Sequence, residues 1–315
     1  MAEILLNIVL LIIGFVMLIK GADWFVEGAS KIADRFGIPQ LVIGLTIVAM
    51  GTSAPEAAVS ISAALKNNAG ITIGNVVGSN IMNILLILGI TSAITAIKVQ
   101  NSTVKYEIPF LIAISVLLPI LGNMDDNVGR ADGAILWLCF VAYLTYLLFM
   151  AKKGQAVLED MPESDKNESI FKLILMVVVG GVMIVVGSDV TVDAATVIAK
   201  VFGMSDRLIG LTIIAFGTSL PELITSVTAG IKGKADIAVG NIVGSNIFNI
   251  LFVVGTTALI TPVTFASNFV IDGSIAVLAA VMLLAFVFKK QKLDRTGGIV
   301  MLVSYAAYFV YLLVM

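Results

Sequence analysis

Gly51-Thr52-Ser53-Ala54-Pro55-Glu56 lies about a dozen residues into an apolar run, and 166 positions later the chain reads Gly217-Thr218-Ser219-Leu220-Pro221-Glu222 inside another. Each segment sets a carboxylate near the middle of a stretch long enough to cross a bilayer. A midplane carboxylate without a partner costs a few kcal/mol, so each glutamate needs a cavity, a proton or a cation. Gly and Pro break the helix there, because Pro supplies no backbone donor and clashes with the carbonyl four residues back. Freed carbonyls can then face a ligand. Ser53-x-x-Glu56 and Ser219-x-x-Glu222 also fit a capping box for a restarting half-helix, which is the plain structural alternative. Capping accounts for one polar pair at a helix start, but not for two symmetric copies.

The 315 residues around these segments are 59% hydrophobic and 13% charged, with net charge -2 and mean hydropathy +1.07. A soluble domain carries about 25% charged residues, so an integral membrane protein is expected. Apolar runs predict ten transmembrane helices, over 3–30, 40–65, 71–96, 107–122, 133–151, 170–199, 208–231, 236–261, 267–288 and 297–315. The fold class is therefore all-α, with helices 2, 3, 7 and 8 broken. The start Met-Ala-Glu has no basic n-region or cleavage site, so the first run reads as a retained helix. With no histidine, His-based acid/base chemistry and His-ligated metals are excluded. Cys139, the one cysteine, reads as apolar packing, and no basic cluster points to nucleic acid.

Fourteen of the nineteen Lys and Arg fall in connections on one side, four on the other, and Lys20 within the first span. The positive-inside rule then places both termini outside a cell (plasma) membrane. The polar stretch from Lys152 to Ser169 reads as a cytoplasmic linker between halves 1–151 and 170–315. A shift of 166 residues lays Gly14, Gly21, Gly51 and Gly78 on Gly180, Gly187, Gly217 and Gly244 without a gap. Twelve of twenty positions are identical between 41–60 and 207–226, and twelve again between 71–90 and 237–256. Five spans per half is an odd number, so the second five-helix repeat enters the membrane inverted, the plan of many secondary transporters.

The other matched pair is Gly74-Asn75-Val76-Val77-Gly78-Ser79-Asn80-Ile81-Met82-Asn83 and Gly240-Asn241-Ile242-Val243-Gly244-Ser245-Asn246-Ile247-Phe248-Asn249. Its glycines are expected to serve close helix packing. Ser79 and Asn83, like Ser245 and Asn249, lie four apart and present oxygens on one face, for ligation or as packing glue. Two carboxylates, two amides and several hydroxyls without His or Cys describe a hard-cation site. Bidentate binding by both glutamates, with the Thr52 and Thr218 carbonyls, would supply six oxygens, the low end of the range for Ca²⁺. Two negative charges balance one Ca²⁺ or two Na⁺, so competition of the two ions for one site follows.

At these residues the sequence resembles the sodium/calcium exchanger family of the calcium/cation antiporter superfamily, whose two repeats carry G-T-S-x-P-E/D and G-N-x-x-G-S-N. The resemblance implies Ca²⁺ coordination by Glu56, Glu222 and the carbonyls of Thr52 and Thr218. It also implies Na⁺ sites using Ala49, Ser53, Glu56 and Ser79, and using Ala215, Thr218, Ser219 and Glu222, with Asn83 and Asn249 between them; Ser245 is grouped with this metal set. Ca²⁺ and Na⁺ are then transported substrates, with no cofactor and no enzymatic step, and the implied exchange is three Na⁺ for one Ca²⁺. Sliding of the first and sixth helices across the core is also implied. Asn249 stands where the potassium-dependent branch has Asp, and Gly78 and Gly244 replace the Glu of proton/calcium exchangers. The linker is too short for the regulatory domains of animal exchangers. The lipid bilayer is the expected partner, nucleic acid is not, and a monomer is expected to suffice. A K⁺- or H⁺-coupled exchanger, a passive channel and a membrane scaffold are the rival readings. Asp23, Glu27, Asp189 and Asp193 read as interfacial or helix-pairing charges. Trp24 and Trp137 read as interface anchors or packing.

Overall fold

The computed structural model describes residues 2–65, 71–158, 168–203, 215–265 and 269–314. Its helices are α1 (Ala2–Phe36), α2 (Gln40–Thr52), α3 (Ala54–Leu65), α4 (Thr72–Ile94), α5 (Thr103–Met124), α6 (Arg130–Leu158), α7 (Ile170–Val201), α8 (Leu220–Ile231), α9 (Ala235–Ile260), α10 (Phe269–Lys290) and α11 (Arg295–Val314). Among the described residues eight helices are long and apolar enough to cross a bilayer, or nine if the bent pair α2–α3 counts as one span. The expected span over 208–231 is described as a turn at Ala215–Gly217 followed by α8, and residues 208–214 lie outside the described residues. So do residues 159–167 of the expected linker, while α6 carries helix on to Leu158.

The break expected in the second span is present: α2 and α3 meet at 50° around Ser53, whose φ of -84° and ψ of 8° leave the helical region. Ser219 repeats this conformation before α8, at φ -91° and ψ 1°. In both places Pro follows two residues later and cannot continue the ladder. The breaks expected in the third and eighth spans are absent. Helices α4 and α9 run through, each with one π-helical stretch, Asn83–Leu88 and Asn249–Val254. Neither contains Pro, and Gly alone costs a helix about 1 kcal/mol, which packing readily offsets. The fold is also not purely helical. Strands β1 (Ile97–Lys98) and β4 (Lys292–Leu293) pair antiparallel, as do β2 (Asn127–Val128) and β3 (Val263–Thr264). They satisfy backbone groups where the chain turns at helix ends.

Helix α9 is the centre of the molecule, with 94% of its most apolar window buried, and α4 follows at 72%. Both halves of the chain thus build the core around their matched Asn-rich helices. Helix α1 sits at the periphery and exposes Leu5, Leu6, Ile12 and Val16. It packs along α7 through glycine: a Cβ on Gly21 would lie 2.8 Å from the Gly180 carbonyl, and one on Gly180 2.7 Å from the Gly21 carbonyl. Such contact lets two backbones approach without side chains between them. Gly180→Ala is expected to cost about 1–3 kcal/mol by overpacking. Gly181→Ala, whose new methyl meets only the Phe25 ring at 3.7 Å, is expected to be neutral or stabilising by up to about 1 kcal/mol. Thermal unfolding of the two variants side by side checks this.

Lys232 ties the end of α8 to Asp23 at 2.6 Å and Glu27 at 3.5 Å, and Lys31 bridges Glu27 and Glu168 at 2.8 and 3.1 Å. Asp23 and Glu27 of α1 are therefore helix-pairing charges. Trp137 packs against Phe140 and Phe252 and donates to Thr256 Oγ1 at 3.1 Å, a packing role.

Candidate functional site

The two hinges place Glu56 and Glu222 in the first turns of α3 and α8, and both side chains are completely enclosed. Each hinge is held to a central helix by an asparagine. Asn75 Nδ2 donates to the Glu56 carbonyl at 3.3 Å and to Ser60 Oγ at 3.0 Å. Asn241 Nδ2 does the same with the Glu222 carbonyl at 3.4 Å and Ser226 Oγ at 2.9 Å. Pro221 frees the Gly217 carbonyl four residues back, and Ser188 of α7 donates to it at 2.7 Å. One repeat earlier the place of Ser188 is taken by Ala22, which has no donor to offer.

The capping-box alternative fails on geometry. Ser219 sits at the N-cap of α8 without forming a capping bond. Ser53 Oγ reaches across to the other half and donates to Glu222 Oε1 at 2.7 Å, where Ser245 Oγ joins at 3.5 Å. Thr52 Oγ1 crosses likewise, to Asn241 Oδ1 at 2.9 Å. Glu56 lies within electrostatic range of Glu222 and beside the hydroxyls of Thr218 and Ser219.

Among the described residues, Glu56 Oε1 and Oε2, Glu222 Oε2, Asn83 Oδ1, Asn249 Oδ1 and Ser219 Oγ are buried without a hydrogen-bond partner. An unpaired buried acceptor costs about 1–3 kcal/mol, and a charged one more. These oxygens form no cluster of three or more His, Cys, Asp or Glu, so carboxylates alone do not make the site. The donor set is hard, as Ca²⁺ and Na⁺ require.

Asn83 and Asn249 keep their oxygens free because their nitrogens are engaged. Asn83 Nδ2 donates to Asn246 Oδ1 at 2.9 Å, and Asn249 Nδ2 to Asn80 Oδ1 at 3.2 Å. Asn80 and Asn246 also exchange bonds with each other's carbonyls, at 3.2 and 3.0 Å. Asn75, Asn80, Asn241, Asn246 and Ser188 are thus positioning residues to which sequence reasoning assigned no role. The signal for the asparagines was present in their exact repetition at the 166-residue shift. Ala49, expected to offer its carbonyl to Na⁺, already accepts from Ser53 N–H at 3.0 Å, Ser245 Oγ at 3.3 Å and Thr52 Oγ1 at 3.3 Å. Ala215 begins the turn before the second hinge.

The two matched helix faces differ in access. Gly74, Asn75, Gly78 and Ser79 line a cavity of about 900 Å³ that also reaches Thr191 and Leu312. A Cβ on Gly78 would meet nothing within 4 Å, whereas one on Gly244 would lie 2.8 Å from Ala49 Cβ. Gly240 and Gly244 therefore serve close packing as expected, and Gly78 does not. The Gly74–Gly78 face of α4 opens to a cavity lined by both halves of the chain, while the Gly240–Gly244 face of α9 is sealed by α2.

A profile of the family described as "Sodium/calcium exchanger protein" matches residues 6–149 and 172–314. The putative antiporter CaxA of Alkalimonas amylolytica is 39% identical over 308 residues, covering 95% of this chain and 96% of that protein. The sodium/calcium exchanger MaX1 of Methanosarcina acetivorans is 31% identical over 346 residues, covering 98% and 99%. Among solved structures, the sodium-calcium exchanger NCX_Mj soaked with Na⁺ and Ca²⁺ superimposes with a TM-score of 0.84 at 32% identity, over 97% of this chain and 98% of that one.

Proposed function

This chain belongs to the sodium/calcium exchanger protein family, and from that premise we propose that it is an antiporter exchanging Na⁺ for Ca²⁺ across the membrane by alternating access. The observation that carries the reading is the set of buried, unpaired oxygens around two enclosed glutamates. Glu56 and Glu222 are the shared cation ligands. Thr52, Thr218, Ser53, Ser219, Ser79, Ser245, Asn83 and Asn249 complete the ligand sets with the carbonyls of Ala49 and Ala215. Occupation by Ca²⁺ neutralises both carboxylates, and so does occupation by two Na⁺, which makes the ions exclusive of each other. A third Na⁺ adds one uncompensated charge, so exchange at three to one is electrogenic.

The 166-residue duplication supports two inverted five-helix repeats, 1–151 and 170–315, joined by a cytoplasmic linker at 152–169. Exchanging the open and sealed faces between the two repeats would then move the site's access from one side of the membrane to the other. The protein acts as a monomer in a cell membrane, with both termini outside. No bond is made or broken in this cycle, and no resident cofactor takes part.

Proteoliposomes loaded with Na⁺ should take up ⁴⁵Ca²⁺, and vesicles loaded with K⁺ or choline should not. An imposed inside-positive potential should accelerate uptake, because one net positive charge leaves as each Ca²⁺ enters. Uptake without internal Na⁺ would remove Na⁺ coupling, and indifference to the potential would remove the three-to-one ratio. Dependence on a K⁺ or pH gradient would favour the rival couplings.

A further inference from the structure

Glu107 is a buried carboxylate far from the cation site in sequence, at the end of the π-helical stretch Thr103–Glu107 that opens α5. Tyr146 of α6 donates to its Oε1. Its Oε2 has no partner among the described residues, and neither does Tyr143 Oη, which lies beside the same carboxyl. No lysine or arginine forms an ion pair with Glu107 among the described residues. Glu107, Tyr143 and Tyr146 wall a cavity of about 340 Å³ together with Lys105, Tyr106 and Phe110. Phe110 stacks on Tyr143 with ring centres 5.6 Å apart, and Tyr106 tilts against Tyr146 at 6.5 Å.

The chemistry of this cavity selects an organic cation. Aromatic faces attract a cation, the more so when it is desolvated, and a countercharge stabilises a buried carboxylate. Two unpaired oxygens, Glu107 Oε2 and Tyr143 Oη, belong to residues that wall the cavity and can accept from a primary ammonium, whereas a quaternary ammonium has no N–H to give. Lys105 supplies a positive charge at the same cavity, so the complementary ligand is a zwitterion, a primary amine close to a phosphate. The cavity opens at the end of a membrane-spanning helix, beside exposed Tyr106 and Lys105, where lipid headgroups lie. We propose that it binds the headgroup of an ethanolamine phospholipid, with the ammonium against Glu107 between the rings and the phosphate at Lys105.

Thermal unfolding of the full chain in nanodiscs tests this, with phosphatidylcholine alone compared against phosphatidylcholine mixed with phosphatidylethanolamine. The wild type should unfold several degrees higher in the mixed discs. Glu107→Gln should lose that shift, and so should Tyr106→Ala, a change at a 60% exposed side chain that leaves folding intact. Equal midpoints in the two lipids would overturn the proposal, as would a shift retained in both variants. Free phosphoethanolamine reproducing the shift in phosphatidylcholine discs would overturn the lipid as occupant. The readout is stability and not ion flux, so its failure is distinct from a failure of Na⁺/Ca²⁺ exchange.

Discussion

Glu56→Gln and Glu222→Gln are each expected to bring Na⁺-driven Ca²⁺ uptake down to the level of protein-free vesicles. Glutamine keeps the shape and one acceptor but removes the charge. With one carboxylate, a bound Ca²⁺ carries a net positive charge into an enclosed site, where each uncompensated ion costs several kcal/mol. A loss of about 3 kcal/mol already weakens binding by more than 100-fold. The variants should differ in stability, because their surroundings do. Glu222 Oε1 accepts from Ser53 and Ser245, while among the described residues no geometric hydrogen bond reaches either oxygen of Glu56. Glu56→Gln should therefore unfold at or above the wild-type temperature in Na⁺- and Ca²⁺-free buffer, and Glu222→Gln at or below it. Full uptake by either variant would mean that transport does not run through these residues.

Asn246→Leu is expected to damage both stability and transport. The Asn246 side chain accepts from Asn83 Nδ2 and donates to the Asn80 carbonyl, at the buried crossing of α4 and α9. Leucine removes both bonds and strands the Asn83 amide nitrogen, at about 1–3 kcal/mol for the unpaired donor and somewhat more with the second bond. Once released, the Asn83 amide can turn its oxygen away from the bound ion. The apparent Km for Ca²⁺ should therefore rise in the fraction that folds, alongside a lower unfolding temperature. Unchanged values of both would show that Asn246 neither orients Asn83 nor holds the crossing.

Much of the fold was legible in the sequence, for identifiable reasons. The hinges at Ser53 and Ser219 follow from Pro55 and Pro221, whose missing N–H acts in any context. The glutamates were marked by their depth in apolar runs, where a charge is expensive. The breaks expected in α4 and α9 were misread because glycine permits a break without forcing one. The strand pairs β1–β4 and β2–β3 are two residues long, too short to leave a periodic pattern.

The site was less legible than the fold. That Ser53 serves Glu222 and does not cap its own helix depends on how two segments 169 residues apart cross. The roles of Asn80 and Asn246 depend in the same way on the contact of α4 with α9. The amino-acid sequence by itself determined the membrane-spanning character, the duplicated unit, the two hinges and the hard-oxygen chemistry. These rest on local terms: hydropathy, backbone donors, and which atoms a side chain carries. Only the tertiary structure decided which oxygens are consumed by hydrogen bonds, which stay buried without a partner among the described residues, and which matched helix face opens to the cavity. Those outcomes turn on distances of a few ångström between segments remote in the chain, and only the packing of the helices sets them.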